Sequence, residues 1–141
     1  MGNIKKPKDR PEYNLVQLPL VKLLTARDWY CEETHGNAFQ TGFPDVYTMH
    51  RKWGRRWIDC KVEGKYNFTK AQRIKWPIWE KFSTPIWIIT GAGEEDYAKL
   101  FQPANWREYW KKTWGELPDI DKLLDELIRE QAADGTGYFD C

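Results

Sequence analysis

Disulfide bonding has little to work with in this chain. Its 141 residues hold three cysteines, an odd number without paired spacing, which argues against a cross-linked scaffold and for a reducing compartment. Histidine is scarcer still, with two residues and no C-x-x-C pair to accompany them, so the usual spacing of a structural zinc site is absent. No stretch approaches the roughly 20 apolar residues that span a bilayer, and no membrane association is expected. The opening MGNIKKPKDR lacks the apolar centre of a secretory leader, which predicts a cytoplasmic protein, in the host cytoplasm if the chain is viral. Gly91-Ala92-Gly93 is too sparse a glycine pattern for a phosphate-binding loop. Internal repeats and low-complexity segments are also missing.

What is present is an ordinary globular composition, 41% apolar and 30% charged, with an unusual nine tryptophans. That length predicts one domain with a modest core. The net charge of +1 conceals a segregation. Nine Lys or Arg lie between Arg51 and Lys75 against Asp59 and Glu63, whereas eight acids lie between Glu116 and Asp140 against Lys122 and Arg129. A basic stretch of this kind suits a polyanionic backbone, and Arg51, Lys52, Arg55, Arg56, Lys65, Lys70 and Arg73 are the candidate phosphate contacts.

The stretch GFPDVYTMHRKWGRRWIDCK, residues 42–61, reads as two strands joined by a basic turn. Asp45 opens the first strand, and Asp59 and Lys61 project from one side of the second, about 6.6 Å apart along it. Ile58, Cys60 and Val62 fall on the other side and can enter a core. Two acids and a lysine then meet on one surface. Mg²⁺ needs only one or two carboxylates when a phosphate supplies further oxygens, so Asp45, Asp59 and the backbone carbonyl of Cys60 form a candidate ligand set for Mg²⁺ or Mn²⁺. Lys61 would assist the attacking water or offset charge on a scissile phosphate.

Around this hairpin, Val16, Leu20, Leu23 and Leu24 have helical spacing over 16–27, and 29–35 reads as a strand. Thr69 is a candidate N-cap for a helix carrying Gln72, Trp76 and Trp79, in which Pro77 predicts a kink or break. Residues 85–90 form an apolar run suited to a strand buried on both faces. Short helices are expected over 94–101 and 103–114, the second with a packing stripe of Trp106, Tyr109, Trp110 and Trp114. Residues 118–133 make an amphipathic helix that closes the core or pairs with a second subunit.

The ordered set Gly42-x-Pro44-Asp45, Asp59-x-Lys61 and Thr69-x-x-Gln72 resembles the PD-(D/E)XK nuclease superfamily, and more closely its VRR-NUC branch and the phage and archaeal Holliday-junction resolvases. The resemblance spans roughly residues 13–101. It implies an α/β fold with a restriction-endonuclease-like core, a small mixed sheet flanked by helices, followed by C-terminal helices. It further implies a Mg²⁺- or Mn²⁺-dependent endodeoxyribonuclease, selective for branched DNA and acting as a homodimer in recombination, repair or phage DNA processing. Asp45, Asp59, Lys61 and Gln72 take the catalytic positions. The helix acid of the relatives has no direct match, because aligning Gln17 leaves Leu15 at its place; Glu12 is the nearby candidate and is expected near or before the helix start. The string Thr34-His35-Gly36-Asn37-x-x-Gln40 is similar to a phage-type subset and makes His35, Asn37 and Gln40 candidate DNA contacts. The implied organisation is a basic flexible arm (1–12), a nuclease core (13–102), a helical extension (103–134) and a loose tail (135–141). A sequence-specific restriction-type enzyme and a non-catalytic nucleic-acid-binding module on the same fold are the alternatives.

Overall fold

The computed structural model describes residues 10–34 and 41–133. The flexible arm except for its last residues, the loose tail, and the candidate contacts His35, Asn37 and Gln40 lie outside them. The described chain is a mixed α/β arrangement. A helical segment comes first, a π-turn at Tyr13–Gln17 running directly into α1 (Leu18–Ala26). Strands β1 (Tyr30–Glu33), β2 (Val46–His50) and β3 (Gly54–Cys60) follow, then α2 (Lys70–Lys81), β4 (Ile86–Ile89) and α3 (Glu94–Lys99). Two 3₁₀ turns (Trp106–Tyr109 and Lys112–Trp114) and α4 (Ile120–Ala133) complete it.

The sheet order is β1-β2-β3-β4, with the first two pairings antiparallel and β3/β4 parallel. The β2–β3 turn works because Gly54 adopts φ +85°, a left-handed conformation that costs glycine little. Alternation along the strands then separates two cores. Val46, Ile58 and Cys60 pack with Val16, Leu20 and Leu24 on the α1 side. Trp57 of β3 joins Ile86 and Ile88 of β4 against Phe68, Trp76 and Trp106 on the α2 side. β4 is buried as the apolar run predicts, although it stands at the sheet edge. That edge is sealed by one side chain: Asn105 accepts from Ile88 N (2.6 Å) and donates to Ile88 O (2.9 Å), mimicking a neighbouring strand.

Three expectations are revised for identifiable reasons. α2 is not broken at Pro77 but continues through it, with Pro77 buried in the helix, so packing of that face outweighs the lost N–H bond. Residues 103–114 form two 3₁₀ turns instead of one helix, yet the aromatic stripe still packs. Trp106 is fully buried, and Tyr109, Trp110 and Trp114 cover the α2-side core. α4 contributes no buried residue and does not close the core; it rests on α2, with Lys81 paired to Asp121 at 2.7 Å. No helix among the described residues is long and apolar enough to cross a membrane.

Candidate active site

The β2–β3 register sets the geometry. Val46 faces Ile58 at the last pairing of the ladder, and Asp45 and Asp59 are the next residues of the two segments, so both acids lie at the end of the strand pair. Two neighbouring acids repel, so the arrangement needs compensation, and the structure supplies several forms of it. Asp45 Oδ2 accepts the backbone N–H of Cys60 at 2.8 Å. The Lys61 ammonium lies 3.0 Å from Asp59 Oδ2 and donates to Asn67 O (2.8 Å) and Gln72 Oε1 (3.2 Å). Gln72 Nε2 donates to Asp59 Oδ1 at the outer limit of 3.5 Å. Asp59 Oδ2 is buried with the Lys61 ammonium as its ion-pair partner and accepts no other hydrogen bond among the described residues.

Each group is held by local structure. Asp45 follows a loop pressed onto the start of α2. Gly42 has φ +82°, and a Cβ there would come within 2.9 Å of the Ala71 Cβ, so glycine is required twice over. Trp76 Nε1 donates to Gly42 O (2.9 Å), and Thr34 Oγ1 to Pro44 O (2.8 Å). Thr69 caps α2 as expected, through a reciprocal capping box: its hydroxyl accepts from Gln72 N (3.1 Å), and Gln72 Oε1 accepts from Thr69 N (3.0 Å). One amide therefore holds the helix cap, Lys61 and Asp59 together.

Burial is deeper than an exposed catalytic surface implies. Asp59 is 1% exposed and Lys61 3%, with the ammonium 5.4 and 5.8 Å from the Phe68 and Trp76 ring centroids. Desolvation, then the neighbouring Asp45 charge, raises the Asp59 carboxyl well above the usual aspartate range, and Lys61 only partly offsets them. Asp45 is raised by burial too, against its bond from Cys60 and the charge of Lys61. The two carboxyls act on each other unequally: Asp59 lowers Asp45 through a hydrogen bond, whereas the Asp45 charge raises Asp59. Burial alone would pull Lys61 down; Asp59, Glu12 and Asp45 outweigh it and keep the amine above its ordinary value, hence protonated at neutral pH. Its hydrogens are committed to Asn67, Gln72 and Asp59, so Lys61 acts first as the counter-cation of Asp59 rather than as a donor to water.

Access is through a cleft of about 600 Å³ whose lining includes Arg10, Glu12, Gln17, Asp45 and Lys65. Glu12 lies inside the first helical turn rather than before it. The π-turn explains its placement. Leu18 N–H reaches back five residues to Tyr13 O, and the widened turn lets Glu12 and Gln17, also five apart, line one cleft. Burial raises the Glu12 carboxyl, Lys61 lowers it and Asp45 raises it again. Gln17 donates to Glu33 Oε1 at 2.8 Å, which identifies Glu33, not Glu32, as the β1 acid turned toward the site. Arg10, Gln17 and Glu33 were not among the predicted site residues, although strand alternation puts Glu32 and Glu33 on opposite faces, so that at most one could face the site, and the family resemblance aligned Gln17 with a helix glutamine.

The chain matches no family model, curated protein or solved structure. The site must be argued on its own geometry. Among the described residues no three His, Cys, Asp or Glu side chains converge as a ready-made cage. A pair of neighbouring carboxyl groups, one of them lining an open cleft, nevertheless fits a hard divalent cation that takes its remaining oxygens from water and phosphate.

The predicted phosphate contacts divide in space. Lys65 borders the cleft, and Lys70 opens α2 beside the cap. Arg73 is partly buried over the Trp114 ring, 5.6 Å from its centroid. The hairpin carries Arg51, Lys52 and Arg55 away to its opposite end, with Arg55 about 13 Å along β3 from Asp59. Arg56 is occupied structurally, donating to Leu100 O (2.8 Å), Trp53 O (2.9 Å) and Arg55 O (2.8 Å).

Proposed function

We propose that this chain is a Mg²⁺- or Mn²⁺-dependent endonuclease with a restriction-endonuclease-like core of the PD-(D/E)XK type, hydrolysing DNA phosphodiester bonds with a preference for branched duplexes. The observation that carries the reading is the neighbouring pair Asp45 and Asp59 beside Lys61, with Asp45 lining an open cleft. Asp45, Asp59 and the Cys60 carbonyl would hold the cation, with Glu12 lining the same cleft as Asp45. A bound cation supplies Lewis-acid polarisation of the phosphate and a more acidic water.

The chain's own groups do the remainder. Lys61 keeps Asp59 in place and offsets negative charge developing nearby. Gln72 fixes both by its amide and is a positioning residue. Glu12 and Gln17 can orient a water in the cleft, and Arg10 and Lys65 on its rim can hold flanking phosphates. A homodimer presenting two such sites would suit cleavage of two strands.

The depth of Asp59 and Lys61 favours one competitor, a non-catalytic nucleic-acid-binding module in which the pair is purely structural. Wild type, Asp45→Asn and Asp59→Asn should be incubated with labelled four-way junction, flap, single-stranded and linear DNA in Mg²⁺, Mn²⁺ or EDTA. Cutting by wild type with metal alone, retained binding by both variants and a junction preference are expected. Cutting that persists in Asp59→Asn removes the assigned site, and binding without cutting by wild type selects the non-catalytic module.

A further inference from the structure

The tip of the β2–β3 hairpin has the makings of a second contact surface, remote from the carboxylates. Trp53 is 42% exposed and Phe101 43%, and their rings meet edge to face at 5.3 Å between centroids. Three cations, Arg51, Lys52 and Arg55, stand around them, and none takes part in an ion pair among the described residues. Lys52 Nζ lies over the Trp53 ring, 4.7 Å from its centroid.

The tip is built to be rigid. His50 Nδ1 accepts from the backbone N–H groups of Lys52 (3.0 Å) and Trp53 (3.3 Å). Arg56 ties the Trp53 carbonyl to that of Leu100, beside Phe101. A cleft of about 750 Å³ opens next to the tip, lined by Asp28, Trp29, Tyr30, Met49, His50 and Arg51. Tyr30 at its mouth is 58% exposed, and Trp29 and His50 pack at 5.0 Å.

Exposed aromatics held by the backbone lose little freedom on stacking, and cations beside them match a phosphate chain. Every nucleobase offers a face to such a ring, but only an unpaired one can reach it. We infer that the hairpin tip binds unpaired nucleotides, with Trp53 and Phe101 as the stacking platform and Arg51, Lys52 and Arg55 on the backbone. The surface would engage a single-stranded arm or opened base while paired DNA lies at the carboxylate cleft. The inference rests on nucleic acid being the ligand, not on hydrolysis.

The test is fluorescence anisotropy in EDTA, with labelled oligo(dT) and a blunt duplex as probes, at low and physiological salt. Trp53→Ala should weaken oligo(dT) binding about ten-fold or more and leave duplex binding within about two-fold, while Trp53→Phe retains most of the affinity. Arg51→Ala with Lys52→Ala should weaken oligo(dT) binding and flatten its salt dependence. Thermal melts identify any variant that loses affinity by unfolding, in which case the folded Trp53→Phe and the arginine–lysine variant decide. Oligo(dT) affinity unchanged in folded Trp53→Ala overturns the inference, as does wild type that binds only duplex or binds neither probe. Failure of the nuclease reading appears instead as absence of metal-dependent cutting, which these binding measurements do not touch.

Discussion

Replacing Asp59 by asparagine separates the electrostatics of the site from its packing. In the unfolded chain Asp45 and Asp59 ionise near pH 4. In the folded chain burial raises both, and the Asp45 charge raises Asp59 further. A carboxyl whose folded pKa lies above its unfolded value contributes stability that is full below the unfolded value and fades as pH rises through the folded one. Wild type without metal should therefore lose stability with rising pH, starting from about pH 4, by up to about 1.4 kcal/mol per pH unit for each proton retained on folding. For a domain of this size that is about 3–5 °C in Tm per unit. Asp59→Asn is isosteric, still offers Lys61 an oxygen, and removes the Asp59 titration while burial continues to raise Asp45. Melting in EDTA between about pH 5 and about pH 8 should give a wild-type curve that falls more steeply than the variant's, with the variant equal or more stable at the alkaline end. Glu12 and Asp45 titrate in both proteins, so the difference in slope reports Asp59. Parallel curves would refute the reasoning, because they would mean that Asp59 is ionised as freely in the fold as in the coil.

Mg²⁺ or Mn²⁺ at about 100 times its Kd should stabilise wild type by about 2.7 kcal/mol, less at acidic pH where protons compete; calorimetry should show this loss of affinity, and Asp45→Asn should abolish the thermal shift. Lys61→Met leaves Asp59 buried without its cation and should cost about 3–5 kcal/mol, whereas Lys61→Met with Asp59→Asn should recover most of that; equal losses in the single and double variants would show the pair uncoupled. Gly42→Ala forces a side chain into φ +82° and onto Ala71, and a loss of about 1–3 kcal/mol is expected by denaturant titration. Asn105→Ala uncaps the β4 edge at Ile88, with an expected cost of about 1–3 kcal/mol and faster amide exchange at Ile88.

The parts of the fold written in short-range pattern were legible in the sequence. Period-two alternation and a glycine turn located the hairpin, and the antiparallel register then brought Asp45 and Asp59 to the same end of it without further information. Thr69 and Gln72 announced the start of α2 because a capping box is local chemistry. The π-turn was not legible: no residue type specifies one extra residue in a helical turn, and aligning Gln17 with the helix glutamine of the resembled family left Leu15 at the place expected for the acid, whereas Glu12 lines the cleft. The basic run misled for a different reason. Residues adjacent in sequence are carried to opposite ends of a hairpin, so Lys65 reaches the cleft while Arg51 and Lys52 do not. Burial of Lys61 was equally invisible, since its partners Asn67 O and Gln72 come from a loop and a helix that the strand pattern does not reveal.

The Gln72 amide serves two masters, closing the first turn of α2 and bridging Lys61 to Asp59. Assembly of the helix and assembly of the charged cluster are for that reason a single event. A chain that has not yet docked α2 cannot carry a partly competent cluster, and a fluctuation that frays the helix start scatters the charges in the same stroke. Such all-or-nothing coupling would keep an immature or damaged molecule chemically silent.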